Sequence, residues 1–454
     1  MSTPQATAHR NWTEGPVLRN VFELAWPSVL SMTLMTAFAI INAFFLGRLG
    51  TIPLAAAISA IFVVWMIQSV VQIVTSGATA VVARWVGEGD LTRAAEAARQ
   101  ALWWGLGLAG VLMIAGHFVT PVAFDIMGTD PEVTREGTIY LRIMFYGSGF
   151  LVIKETLGAV FQATGDTRTP LFVNLFAVGL NVVLDPILIF GLFGCPRLET
   201  AGAAIGTVSA YAAASLVYIL RVRSGRLRIP MRLRLPESPD YALAWRMFKI
   251  GFPLSFADIV FCTVYIFLNQ VVAGYGAFAI AALGIGNRME SINYMVAHGF
   301  GTAAATLVGQ NLGAGKPERA ERSAWYTAGV VMVFTGVVGL LVVTFRSALG
   351  SVFLSDPRAL AALDSYLILL GSTQVFMGAE IVLYFAFTGA GYTFWPSIVS
   401  IPGAILRIPI AYLIGQTLGF GLVGVWWAIT ITMVLKGIAL CVMFRFNRWK
   451  HQAV

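Results

Sequence analysis

Charge is scarce in this chain: of its 454 residues only 11% are Asp, Glu, Lys or Arg, against 58% hydrophobic ones. A soluble domain carries about 25% charged residues, so a water-facing globule is excluded and a polytopic membrane protein is expected. Cysteine is as sparse. Cys195, Cys262 and Cys441 stand far apart, two of them in apolar runs, which excludes a disulfide framework and a cysteine-based metal cluster. The first twenty residues hold no apolar core ahead of a cleavage site, so no secretory signal is expected and the first span acts as its own insertion signal. A nucleotide motif is missing too. GQNLGAGKPE at 309–318 has five residues between Gly309 and Gly315, and Pro317 where a Mg²⁺-binding Ser or Thr would stand, so it is no phosphate loop. With no catalytic triad, cofactor motif or metal motif either, the chain is not expected to be an enzyme, and any transport must draw on an ion gradient. The net charge of +8 is explained by basic cytoplasmic loops rather than by nucleic acid.

What the chain has in abundance is apolar runs of bilayer length, about 20 residues or more. They fall at 21–47, 53–80, 98–120, 138–163, 170–193 and 201–220, then at 247–273, 277–308, 324–345, 365–388, 395–418 and 421–444. The expected fold is an all-α polytopic membrane protein with twelve transmembrane helices. An N-terminal lobe over 1–220 and a C-terminal lobe over 244–454 flank a linker over 221–243 whose six arginines and three prolines are too polar for lipid. An even number of spans puts both termini and the linker on one side, with twenty Lys and Arg there against six opposite. Positive-inside makes that side cytoplasmic, and the cell inner membrane is the expected location, with lipids as neighbours.

The two halves repeat. Pro27 and Pro253, Gly50 and Gly276, Gly87 and Gly313, Gly89 and Gly315, Gly165 and Gly391, and Pro170 and Pro396 are all separated by 226 residues. After Gly191 the register shifts by four, so that Gly202-Ala203-Ala204 meets Gly424-Val425-Trp426. An offset spanning an even number of helices is a parallel repeat about an axis normal to the membrane, which builds two facing six-helix lobes. A full repeat in one chain suffices for a monomer.

One stretch carries chemistry, FQATGDTRTPLFVNLFAVGLNVVLDPILIF at 161–190. A polar turn leads into a span interrupted by Asn174, Asn181 and Asp185. A charge at the bilayer centre costs roughly 2.5–3.5 kcal/mol by insertion scales, so an intramembrane Asp marks an ion or substrate path. Asn181 lies four residues before it on the same helical face, and Pro186 frees the Val182 carbonyl. In the repeat Asp185 falls on Ala411, Asn181 on Arg407 and Asn42 on Leu268, so this polar set belongs to the first lobe alone. The second lobe has Asp258, Arg288, Glu290 and Glu380, with Glu380 falling on Lys154. Unlike lobes suggest ion coupling in one and part of the substrate path in the other.

The chain resembles the multidrug and toxic compound extrusion (MATE) family. TGDTRTPLFVNLFAVGLNVVLDPILIFG at 164–191, TAAATLVGQNLGAGKPERAER at 302–322 and FFLGRLGTIPLAAA at 44–57 carry the resemblance. It implies two bundles in a V around a cavity, and export of small organic, often cationic, compounds coupled to entry of H⁺ or Na⁺. Asn181 and Asp185 match the first-lobe cation site of the DinF-like branch, and Thr207 its hydroxyl partner. The chain departs at Asn42, where that branch usually carries Asp. An Asn can lend a carbonyl oxygen to Na⁺, a hard cation, but cannot titrate. Where the NorM-like branch has acids stand Phe261 and Met377, with Asp258 and Glu380 about one turn away.

Further residues are weighed against plain packing roles. Asp258 couples or bonds a neighbouring helix. Glu380 meets the substrate or a basic partner, Lys154 across the pseudo-axis being one choice. Arg288 and Glu290 face different sides of a helix and suit lobe packing or a gate. Arg407 and Lys436 anchor a salt bridge or lipid headgroups, and a fixed charge at Arg407 disfavours a second cation site. His298 is expected to be a satisfied hydrogen-bonder more than a relay. Trp65, Phe38, Tyr265 and Tyr384 are candidates to line a cavity for flat cations. The alternative function is a lipid-linked oligosaccharide flippase, which would want a strongly cationic cavity. A membrane transferase would need longer extracytoplasmic loops, and a scaffold would not need Asp185.

Overall fold

The computed structural model describes residues 11–127, 129–236 and 238–452; residues 1–10, and with them Arg10 of the basic side, lie outside the described residues. Fourteen α-helices and no strands make up the described chain. The first seven are α1 (Val17–Leu49), α2 (Thr51–Glu88), α3 (Leu91–Met127), α4 (Pro131–Tyr146), α5 (Ser148–Ala163), α6 (Arg168–Phe190) and α7 (Glu199–Arg223). The rest are α8 (Tyr241–Ala273), α9 (Ala277–Gly313), α10 (Pro317–Phe353), α11 (Pro357–Gly389), α12 (Phe394–Ile405), α13 (Arg407–Tyr412) and α14 (Gly421–Arg445).

Ten of these segments are long and apolar enough to cross a membrane by themselves, α12 and α13 counting as one. The expected fourth span is two helices, α4 and α5, bent by 51° at Gly147. The twelfth member of the order is α9, 37 residues long. It is more polar than its neighbours because it carries Arg288, Glu290, Asn293 and His298, and it packs against α10 and α11. The expected span over 395–418 is likewise interrupted, by a break at Leu406 between α12 and α13 and a π turn over Leu413–Thr417.

The repeat survives in the helix boundaries. α3 and α10 begin and end 226 residues apart, as do the starts of α4 and α11 and of α6 and α12, whereas α7 and α14 are displaced by 222 at both ends. The four-residue shift therefore falls in the second lobe's shorter passage around the π turn. The polar turn before α6 is built by its own residues: Asp166 accepts from the Arg168 and Thr169 amides at 3.1 and 2.9 Å. Gly165 there has φ +92°, and the Trp12 indole packs where a side chain would stand.

The lobes meet along one half of the molecule. α2 packs on α8 and α9, and α1 on α9. At Gly251 a Cβ would overlap the Ile73 carbonyl, so these helices touch backbone to backbone. Thr306 Oγ1 and Gln310 Nε2 of α9 donate to the Gln162 and Ala163 carbonyls at 3.0 and 2.7 Å. Lys316 and Arg319 reach the carbonyls of Thr13, Glu14 and Gly15 at 3.1, 2.8 and 2.8 Å. All these contacts lie from mid-span toward the end that holds both ends of the described chain. The segment between α7 and α8 lies at that end and is packed down, with Leu227, Ile229 and Met231 buried and its carbonyls accepting from Gln100 and Trp103.

Candidate functional site

In the first lobe, α6 projects Asn181 and Asp185 from one face, and both are fully buried. Asn181 Nδ2 donates to Asp185 Oδ1 at 2.7 Å. α7 approaches through Gly206, where a Cβ would collide with Asp185 Oδ1, so only glycine leaves room for the carboxylate. One residue on, Thr207 donates to the Ala203 carbonyl at 3.0 Å, and Asn42 Nδ2 of α1 reaches Thr207 Oγ1 at 3.5 Å. The four residues singled out in the sequence thus come together from three helices. Their donors are used, but Asp185 Oδ2, Asn181 Oδ1 and Asn42 Oδ1 are buried without a partner among the described residues. Leaving a buried acceptor unmade costs about 1–3 kcal/mol, more for a charged group. Three such oxygens in one cluster fit a small oxygen-seeking cation, which would be cargo here and not a resident cofactor.

Tyr140 of α4 escaped the sequence reading. It is buried and close enough to feel the Asp185 charge. A signal existed, since residue 140 plus 226 is Tyr366, whose hydroxyl bonds across helices to Asn287 at 3.2 Å.

The second lobe holds a different set. Lys436 Nζ of α14 meets Glu380 Oε1 of α11 at 2.6 Å. The expected pairing of Glu380 with Lys154 is therefore corrected: Lys154 bonds its neighbour Glu155 at 2.5 Å and lies over the Tyr211 ring. α14 supplies the nearer cation to Glu380, within the same lobe. Asp258 faces Gln72 of α2 across the lobe boundary. Arg407, 3% exposed, donates from Nε to Thr432 at 3.1 Å and lies over the Phe261 and Tyr265 rings at 5.9 and 5.3 Å. Arg288 is exposed and Glu290 half-buried, and Glu290 turns toward Arg407 and Gln374. Two expectations change. Tyr384 is buried, its hydroxyl 2.6 Å from Ser397, so it joins α11 to α12 instead of lining a cavity. His298 is not a satisfied hydrogen-bonder; its ring packs at a tilt against Tyr294 and edge-on against Phe385, with its Nδ1 unpartnered among the described residues.

These lobes have counterparts among known proteins. The MatE family model matches residues 27–187 and 253–413, two passages again 226 apart. The probable multidrug resistance protein NorM of Thermotoga maritima is 27% identical, covering 96% of this chain and 94% of its own length. The FAD transporter of Shewanella oneidensis is also 27% identical, over 93% of each. Among solved structures, the outward-facing conformation of a multidrug resistance MATE family transporter superposes with a TM-score of 0.89 over 98% of each chain, at 22% identity. Two matched halves covering most of the chain, on a fold of two six-helix lobes, make this protein a member of the MatE family of multidrug and toxic compound extrusion transporters.

Proposed function

We propose that the chain is a secondary active antiporter of the inner membrane, exporting organic, often cationic, compounds in exchange for an inward-moving monovalent cation. The observation that carries this reading is the trio of unpartnered oxygens at Asp185, Asn181 and Asn42. A proton on Asp185 satisfies one of them. Na⁺ accepts all three, which favours Na⁺ over H⁺ as the coupling ion. Counting basic residues orients the end where the lobes meet toward the cytoplasm, which makes the conformation described one closed on the cytoplasmic side. Relatives named for drug resistance and for FAD transport do not favour the oligosaccharide flippase.

The ion drives export only through its differential affinity for the two lobe arrangements. Efflux of a fluorescent organic cation from proteoliposomes, under Na⁺ and pH gradients imposed separately, tests the reading. The Na⁺ gradient is expected to drive transport and Asp185→Asn to reduce it to the rate of empty vesicles. Undiminished transport by Asp185→Asn would move coupling to another site.

A further inference from the structure

Among the buried charges inside the second lobe, one pair is closed and another is open. Lys436 and Glu380 touch at 2.6 Å. Arg407 and Glu290 are electrostatic neighbours, yet their charged atoms do not come within the 4.0 Å of an ion pair. Arg407 Nη1 is buried with no acceptor among the described residues, and the neighbouring Gln374 Nε2 and Asn293 Oδ1 are unpartnered too. Burying a guanidinium without saturating its donors costs several kcal/mol unless something fills the gap. The repeat rules out a leftover of duplication. Subtracting 226 from Arg407, Glu290, Phe261 and Tyr265 gives Asn181, Val64, Met35 and Ala39, and subtracting 222 from Thr432 gives Ala210. At these positions the first lobe has neither the split charges nor the rings.

A separated cation and anion, beside two aromatic faces near mid-span, match a molecule with the opposite charges on a flat frame. We infer that Arg407 and Glu290 form a substrate subsite for an aromatic zwitterion, Arg407 receiving its carboxylate and Glu290 its ammonium, with Phe261 and Tyr265 flanking the ring. Guanidinium suits this role because its planar fork matches a carboxylate bidentately. The first-lobe cluster, whose free atoms are all acceptors, cannot hold a carboxylate, so the two lobes recognise different charges. This rests on the reading of the protein as an exporter of organic compounds, but binding can be measured without any gradient.

The test is equilibrium binding to purified protein in nanodiscs of three probes with one frame: a naphthyl amino acid, its methyl ester and its N-acetyl derivative, which are zwitterion, cation and anion. The unmodified protein is expected to bind the zwitterion at least about tenfold more tightly than either derivative, a gap of ~1.4 kcal/mol. Arg407→Gln should bring the zwitterion down to the ester's affinity and leave the ester unchanged. Glu290→Gln should bring it down to that of the N-acetyl compound. Equal affinity of the unmodified protein for zwitterion and ester overturns the subsite, a result that needs no variant to fold. So does an Arg407→Gln protein that loses all three probes in proportion. If the pattern holds while no gradient drives transport, the antiport reading fails and the subsite stands.

Discussion

At the residue scale, Asp185 of the first lobe and Lys436 of the second are buried charges in opposite states. In the first, Asp185 has one oxygen bonded and one bare, an arrangement that gains from binding a cation. Asn42→Ala removes one of the three free oxygens. It is expected to raise the Na⁺ concentration for half-maximal transport about tenfold, worth ~1.4 kcal/mol, without changing transport at saturating Na⁺; titrating efflux against Na⁺ checks this. In the second lobe, Lys436 is 7% exposed and satisfied by Glu380. Glu380→Gln strands that ammonium, and breaking a buried pair by removing one partner costs about 3–5 kcal/mol. A clear fall in melting temperature in detergent is expected, largely reversed in Glu380→Gln/Lys436→Met, since the Lys436 stem packing on Gly403 can be replaced by a chain of similar shape. Equal melting temperatures for the single variant and the unmodified protein would refute the structural role. The first cluster is legible in the sequence because three polar residues interrupt an apolar run. Partners in the second lobe are not, because helix spacing fixes which residues share a face but not which helix lies opposite. The repeat register points Glu380 at Lys154, whereas packing of α14 on α11 gives it Lys436.

At the element scale, the repeat offset alone locates most helix boundaries, since prolines and glycines at turns mark where helices can start and stop. The breaks inside spans leave no such mark in hydrophobicity: Gly147 lies in a continuous apolar run, yet α4 and α5 diverge there by 51°. Glycines within α8 and α2 are similarly silent. Gly251 faces the Ile73 carbonyl and Gly77 faces Met247, so this seam closes only because neither has a side chain. Gly251→Leu cannot be housed there and should wedge α8 from α2. Ser255 is 1% exposed and bonded to the Ser69 carbonyl across the same seam. In a variant with Cys195, Cys262 and Cys441 replaced, Ser255→Cys should resist an impermeant maleimide added from the side bearing the termini. Adding Gly251→Leu should raise labelling at least several-fold. Unchanged protection would mean that the seam does not depend on close backbone approach.

At the scale of the whole molecule, the proposed antiport requires one seam to open as the other side closes, with the free energy for that exchange drawn from ligand binding. Asp185 and Asn181 lie toward the end of α6 away from the seam, so under the proposed exchange Na⁺ would act on the seam only by favouring one arrangement of the first lobe, in which α1 contacts both α6 and α9. Asn174 Nδ2 of α6 bonds Ser31 Oγ of α1 at 2.5 Å, a direct link between the site helix and the seam helix. Each tenfold difference in Na⁺ affinity between the two arrangements shifts their ratio tenfold, about 1.4 kcal/mol. Labelling at Ser255→Cys is therefore expected to depend on Na⁺, rising as the ion fills the site if Na⁺ favours opening toward the cytoplasm for its release. That dependence should vanish in Asp185→Asn while the Gly251→Leu effect persists, because the latter acts at the seam itself. A Na⁺ response that survives Asp185→Asn would show that the ion reaches the seam by another route, and would separate the oxygen cluster from the lobe motion.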